Sequence, residues 1–539
     1  MLIEEWIFYL FVILNAAQYL IFQFNLTMDG PSHLYNANLI KYLVTGDQYH
    51  ISDFFVINPV PVPNWTGHFI MMILGFLFSG PVTEKIFILL YAFFLPVTFR
   101  ILVRTISPSH TLLSFLIFPF IRTILFQLGF FNFCIAFIFM FLAIAYWYRT
   151  ESLVYGKKPR QLTGPVLVLF GLITLTFFSH ILVFGFLLTY LVFHSLTRSF
   201  YYNTGIKAIA KSFQVRSLIL FIAALPAIIL SLVFLMKVPL VQTGYPSSKS
   251  VLLESIVTLR PLVFFTSGEI LYTRIIFYCL SAIFLSAIAW RIWKIASKKE
   301  KNGISMVHKR TVWMRGDLFL ASSLVILGLY FIYPNNETSG MMTDRLCMIF
   351  LMFFLVWLSI QPLPKWFSLL IILIVLTADG FLVNYQYPAV KILNHVAKEI
   401  YKASDHVKDG DVLLSFNHSD NWLLNHSAAY VGIEKPIVIL DNYEPVTKWF
   451  PLVYNKNFKN ILIGDKEEIK HIWWRSNTGS PISKTIDDIL FIGNFNLILE
   501  DTTLKELRNE LDLHYNLVYR SDSAFVRLYR FRENSQSVH

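Results

Sequence analysis

The sequence predicts a polytopic α-helical membrane protein of about eleven spans, followed by an extracytoplasmic α/β domain at the carboxyl end. Three observations predict it. Of 539 residues, 55% are hydrophobic and 17% aromatic but only 15% charged, and mean hydropathy is +0.57; a soluble chain of this length needs more charge to cover its surface. Several runs of about 18 to 22 apolar residues match the thickness of a bilayer core. The basic residues gather in a few loops: Arg149, Lys157, Lys158 and Arg160; then Arg198, Lys207, Lys211 and Arg216; then Arg291, Lys294, Lys298, Lys299, Lys301, Lys309, Arg310 and Arg315. That clustering accounts for the net charge of +11 as a positive-inside pattern and argues against a nucleic-acid surface.

The elements follow in order from that pattern. The first run, near 6–22, follows the acidic "MLIEEW" and lacks a small-residue cleavage site, so it is expected to be a retained helix with its amino end in the cytoplasm. Residues 24–83 form a long first outer loop. Within it, 65–79 is short for a crossing at about 15 residues and is expected to be interfacial or re-entrant. Spans are expected near 84–104, 109–127, 130–148, 163–179, 181–197, 217–236, 273–291, 317–334, 344–361 and 366–384. Cys134, Cys279 and Cys347 fall in or beside apolar runs and give neither a disulfide framework nor a metal spacing.

The chain divides into a membrane domain, 1–387, and a carboxyl-terminal domain, 388–539. In the latter, 389–411 alternates apolar and polar residues at helical spacing. "DVLLSF", "KPIVIL", "NILIGD" and "NLILED" read as buried strands, and "TTLKELRNELDLHY" as a helix. Neither a GxGxxG nor a P-loop pattern occurs, and no repeat of fixed period is present.

The stretch "FNLTMDGPSHLYNANLIKYL" carries the first candidate site. Asp29 or Gly30 can cap a short helix that Pro31 opens. A carboxylate held there is also a positioned base, and His33 stands beside it. His180, in "FFSHILVF", falls at the outer tip of a hairpin; an isolated histidine there either packs with a hydrogen bond or meets a polar ligand. Asp344 and Arg345 begin a span. Asp344 suits the positive end of the helix dipole and Arg345 opposes it, which a phosphate bound to the guanidinium would resolve. Arg260, before Pro261, is a second phosphate candidate in a loop whose other charges, Lys249, Glu254 and Glu269, are expected to be solvated. Glu84 and Lys85 are expected to mark the outer end of a span. Trp422, Tyr430, Asp441 and Trp449 can pack in the outer domain or contact a sugar.

A long first outer loop that follows the first span at once and opens with "MDGPSH" resembles the GT-C superfamily of membrane glycosyltransferases, which includes oligosaccharyltransferase catalytic subunits, protein O-mannosyltransferases and aminoarabinose transferases. The short helix at 65–79, the outer "LGFFNF" and the extracytoplasmic carboxyl-terminal domain are similar too. The resemblance implies that Asp29 is the catalytic acidic residue of the first loop and that the reaction inverts the anomeric carbon. One departure stands out. Where many members carry a second acidic residue, this chain has Asn132, which weakens a two-carboxylate metal site; no metal is expected from this pattern, although a divalent ion remains compatible with it.

The function expected is transfer of a sugar from a polyprenyl-phosphate-linked donor to a glycan, lipid or protein acceptor on the extracytoplasmic face. Asp29 would be the base, and His33, Asn132, His180, Arg260, Asp344 and Arg345 would bind substrate. The donor's tail lies in the membrane lipid, so its phosphate and anomeric carbon stop near the interface, where these residues are expected. The alternatives are a transporter or flippase for lipid-linked saccharides, which would need paired ionisable groups at mid-membrane, and a non-catalytic assembly subunit. No nucleic-acid partner is expected.

Overall fold

A computed structural model describes residues 2–150, 163–238, 247–299, 316–333, 341–456, 486–496 and 505–532. Lys157, Lys158, Arg160, Lys301, Lys309, Arg310 and Arg315 lie outside these residues, as does the strand expected at 460–465 and nearly all of that at 496–501. The protein is predominantly helical. Its chain forms two compact units, one of Met1–Gln18, Leu90–Phe126 and Asn132–Pro388, the other of Tyr19–Leu89, Gln127–Phe131 and Ala389–His539.

Among the described residues, seven helices are long and apolar enough to cross a membrane: Gly80–Ile106, Phe131–Thr150, Ile181–Tyr202, Ile206–Lys237, Ser267–Lys294, Met342–Ser359 and Lys365–His406. Their apolar side chains are not all used for packing. Along Ile206–Lys237, Leu218, Phe221, Ile222, Ile229 and Leu232 are each more than half exposed. Such a surface suits lipid and is costly in water.

Of the other expected spans, 163–179 is found as Thr163–Ser179 and 317–334 as Asp317–Ile332. Helices α1 (Leu2–Ala17), Thr163–Ser179 and Asp317–Ile332 are apolar, with 16 or 17 described residues each. At about 1.5 Å per residue they fall short of a core of about 30 Å unless flanking residues help. The span expected at 109–127 is a 3₁₀ segment, Leu112–Ile121, followed by one α-turn, Ile124–Gln127. Pro119 lies inside it. The second basic loop is shorter than expected. Lys207, Lys211 and Arg216 belong to the first turns of Ile206–Lys237.

Several charges within the helical unit are paired. Arg291 lies 2.7 Å from Asp317, which also accepts from the Trp357 indole at 3.1 Å. Arg122 binds Asp379 at 2.7 Å. Arg100 and Arg104 hold Glu4 and Glu5 at 3.0 and 2.7 Å. Ions in apolar surroundings persist when satisfied in this way.

The second unit collects α2 (Gly30–Thr45), α3 (Trp65–Gly75) and the described carboxyl-terminal residues. Thus residues 24–83, grouped by sequence with the membrane helices, pack with residues from 389 onward. Strand β1 (Phe55–Ile57) pairs antiparallel with β4 (Leu452–Tyr454). The main sheet contains β2 (Val412–His418), β3 (Val438–Ile439), β5 (Asp488–Gly493), β6 (Tyr515–Arg520) and β7 (Val526–Phe531), in the order β3-β2-β5-β7-β6. The first three run parallel and the last two antiparallel to their neighbours. β5 is buried along its whole length, which explains its uninterrupted apolar "ILFI". The helical pattern at 389–411 continues the preceding helix, so that Lys365–Ala403 is a single element with Pro388 inside it.

Helix α2 is unusual because Gly30 through Ile40 are all buried although Ser32, His33, Asn36 and Asn38 are polar. The carboxyl-terminal segment supplies their partners. Asn38 donates to the carbonyls of Gly432 and Lys435 at 3.0 and 3.1 Å. Asn36 and Asn442 exchange amide hydrogen bonds at 3.1 and 2.6 Å. The Tyr35 hydroxyl donates to Ile437 O at 2.7 Å and accepts from Ile439 N at 2.9 Å. A buried polar helix is tolerable only when so satisfied.

Candidate functional site

Asp29 occupies the N-cap position of α2, with a proline in the first helical turn, as the sequence predicts. Its side chain makes no capping hydrogen bond. The local work is done elsewhere: Gly30 N donates to Thr27 Oγ1 at 3.1 Å, and Met28 N and Asp29 N donate to Gln127 O and Leu128 O at 3.0 and 3.1 Å. Gly129 has φ +83°, and a Cβ there would lie 2.7 Å from Gly30 N and 2.8 Å from both Asp29 N and Asp29 Cβ. A glycine is therefore required by conformation and by close approach together. These contacts fix Asp29 from the backbone. Asp29 is 6% exposed, and its carboxylate comes within 3.6 Å of His426 Nε2.

The His426 side chain is about a quarter exposed. Burial pushes its pKa down to about 4, and His33 adds to the depression while Glu444 opposes it. The 3.6 Å approach to Asp29 is too long for a hydrogen bond. The His426 ring stacks on Tyr443, with centroids 4.3 Å apart.

His33, one helical turn beyond Asp29, faces two acceptors. Its Nδ1 lies 2.6 Å from Glu444 Oε1 and its Nε2 2.9 Å from Gly129 O. His68, on α3, repeats the pattern: Nε2 is 2.8 Å from Glu444 Oε2 and Nδ1 is 3.1 Å from Asn64 O. Burial alone would lower the His33 pKa, but Glu444 and, more weakly, Asp29 outweigh it and hold the ring above the usual imidazole range. Burial would raise Glu444, yet His68 and His33 together hold it well below the usual carboxylate range. The two imidazoles and the carboxylate form the one group among the described residues whose donor atoms, all within 4.8 Å of one another, could hold a metal ion.

The helical unit holds the other candidates. His180 breaks the chain between Thr163–Ser179 and Ile181–Tyr202 in extended conformation, φ −161° and ψ 124°, and its Nδ1 accepts from Leu182 N at 3.2 Å. Arg345 Nη1 approaches His180 Nε2 at 3.4 Å, and Phe133 sits edge-on to the imidazole. The Arg345 guanidinium lies over the same Phe133 ring at 5.9 Å. Asn132 is buried beside Phe133. Arg260 donates to Val263 O at 2.8 Å, and its charge acts on Asp344. Asp29 and His33 belong to one unit, and Asn132, His180, Arg260, Asp344 and Arg345 to the other.

Several expectations are corrected. Glu269 is fully buried rather than solvated: it accepts from Phe264 N, Phe265 N, Thr266 N and Gln386 Nε2 and completes a capping box with Thr266. Glu84 is 2% exposed and accepts from Asn25 N at 3.2 Å and the Tyr430 hydroxyl at 2.7 Å, so it ties the first loop to the carboxyl-terminal segment. Tyr430 is consequently a packing residue. Asp441 accepts from Ser415 Oγ. Trp422 is partly exposed.

His68, His426 and Glu444 escaped sequence reading. Glu444 lies 411 positions from His33 and 376 from His68, and neither spacing forms a motif. No protein-family model matches the chain, and none of the curated proteins matches it.

Proposed function

We propose that the protein is a membrane glycosyltransferase that uses a polyprenyl-phosphate-linked sugar on the extracytoplasmic face, with Asp29 as the base. One observation carries the reading. Asp29 sits at the start of a proline-opened helix yet contributes no capping bond, and backbone contacts to 127–129 hold it in place. A carboxylate that is held in position without capping its own helix suits a proton acceptor.

In this reading the acceptor hydroxyl gives its proton to Asp29 as its oxygen attacks the anomeric carbon. The bond from that carbon to the lipid phosphate breaks in the same displacement, so the configuration inverts. The departing phosphate gains negative charge. Arg345, beside His180 and Phe133, has the fork of donors that binds phosphate oxygens. Apolar helices that suit lipid are compatible with a donor anchored by an isoprenoid tail.

The test is transfer from radiolabelled polyprenyl-phosphate sugars by the purified full chain in liposomes. Asp29→Asn should lower transfer by about 100-fold to 10,000-fold, the range for loss of a general base. Transfer at the wild-type rate by the Asp29→Asn variant removes Asp29 from the chemistry.

A further inference from the structure

We infer that His33, His68 and Glu444 form a binding site for a divalent transition metal, with Zn²⁺ the cation that two imidazole nitrogens and a carboxylate suit best. The inference does not rest on the transferase reading and involves no sugar or lipid.

The hydrogen-bond chemistry leads to it. A backbone carbonyl can only accept. His33 Nε2 must therefore carry a proton towards Gly129 O, and His68 Nδ1 one towards Asn64 O. In the neutral rings this leaves lone pairs on His33 Nδ1 and His68 Nε2. Both lone pairs then point at the same carboxylate, at 2.6 and 2.8 Å. Lone pairs and carboxylate oxygens repel, so positive charge must stand among them. Two more ring protons can supply it, and so can one divalent cation. The two solutions carry the same total charge, and the cation substitutes three coordinate bonds for two hydrogen bonds.

The surroundings favour the cation. Metal-ligating histidines characteristically donate their other ring N–H to a carbonyl or carboxylate, which fixes tautomer and orientation; both rings here do so. The donor atoms lie within 4.8 Å of one another; around a cation at about 2.0–2.2 Å from each they would stand roughly 3–3.5 Å apart, so the His–Glu contacts at 2.6 and 2.8 Å open by less than about 1 Å as the ion enters. The side chains are 3%, 0% and 0% exposed. The Phe450 ring packs against both imidazoles, at 5.5 and 5.8 Å, and helps to exclude water. The ligands come from α2, α3 and the turn Glu444–Thr447, so a bound ion would clip together segments far apart in sequence.

The full-length protein in detergent, stripped with a chelator and checked for monodispersity, should take up one Co²⁺ or Zn²⁺ per chain. X-ray absorption of the Zn²⁺ form should show two imidazole nitrogens and carboxylate oxygen in the first shell. Glu444→Gln and His68→Gln should each weaken binding by at least about 100-fold, since losing even an outer partner costs about 10- to 100-fold. His395→Ala, an exposed histidine elsewhere in the same unit, should bind as wild type does. The wild-type measurements need no variant to fold. Failure of the stripped wild type to take up stoichiometric metal would overturn the inference and leave a proton-bridged ion triad. Uptake that survives both Glu444→Gln and His68→Gln, or a first shell without imidazole, would overturn it equally.

Discussion

Replacing Gly129 by alanine tests whether the backbone contacts around Asp29 are what hold it. Two costs add. Alanine at φ +83° adopts a conformation that costs an L-residue about 1–2 kcal/mol. Its Cβ would also stand 2.7–2.8 Å from Gly30 N, Asp29 N and Asp29 Cβ, none of which is the end of a flexible side chain. Overpacking of this kind costs about 1–3 kcal/mol. The sum is about 2–5 kcal/mol. Gly46 provides the control at the other end of α2: its φ is +124°, and an added Cβ meets nothing within 4 Å. Gly46→Ala should therefore cost only the conformational part, about 1–3 kcal/mol for a sparsely populated backbone region. Hydrogen exchange of peptides covering 26–34, followed across a urea series, reads the local opening free energy in each variant. Exchange should quicken markedly in Gly129→Ala, and transfer activity should fall with it as Asp29 is pushed aside. If Gly129→Ala costs no more than about 1–2 kcal/mol, the conformational part alone, the tight packing around Asp29 is not what the distances imply.

Asp29→Asn should leave exchange over the same peptides close to wild type, because the side chain makes no capping bond; marked quickening there would show that it holds the helix after all. Arg345→Ala should weaken binding of a polyprenyl phosphate more than Arg345→Lys, since lysine keeps the charge but loses the planar fork; equal affinities for all three forms, measured with vesicle-borne lipid, would remove Arg345 from phosphate recognition. In the sheet, Arg530 binds both Asp411 and Asp488, at 2.9 and 3.1 Å. Burial, with Asp411 adding to it against the pull of Arg530, pushes Asp488 up to about 7. The folded state then keeps a proton that the unfolded chain releases near pH 4, so stability here should fall as pH rises from about 4 to 7 and level off above. Amides of β5 and β7, corrected for intrinsic exchange, should be better protected at pH 5 than at pH 7.5, and Asp411→Asn should shrink that difference. Equal or better protection of the wild type at pH 7.5 would contradict this.

The helical, membrane-suited character was legible because apolar runs and charge clusters are local signals. So was the start of α2, where "MDGPSH" places Asp29 at a cap ahead of Pro31, and so was the break at His180. The span expected at 109–127 is a 3₁₀ segment and one α-turn, while the one expected at 163–179 is found as Thr163–Ser179. The grouping of residues 24–83 with the carboxyl-terminal segment was illegible, because it depends on partners such as Asn36 with Asn442 and Glu84 with Tyr430 that no periodicity announces. His33 was visible as a polar neighbour of Asp29. Its partners were not, since a lone His68 in an apolar stretch and a Glu444 ahead of a proline look like ordinary turn and core residues.

The burial of α2 links these points. A helix with Ser32, His33, Asn36 and Asn38 in its interior-facing stretch would, by itself, prefer water. It is buried because residues 432–444 meet each polar group with a carbonyl, an amide or a carboxylate, and because Glu444 reaches His33 on α2 and His68 on α3 at once. Asp29 inherits its position from that arrangement: its helix cannot shift without breaking those bonds, and Gly129 closes against it from the other side. The groups that fix α2 thus reach from His33 to Glu444, 411 positions away, while the Asp29 carboxylate makes no bond that caps the helix it begins. A side chain whose only purpose was to cap α2 would be expected to do the reverse.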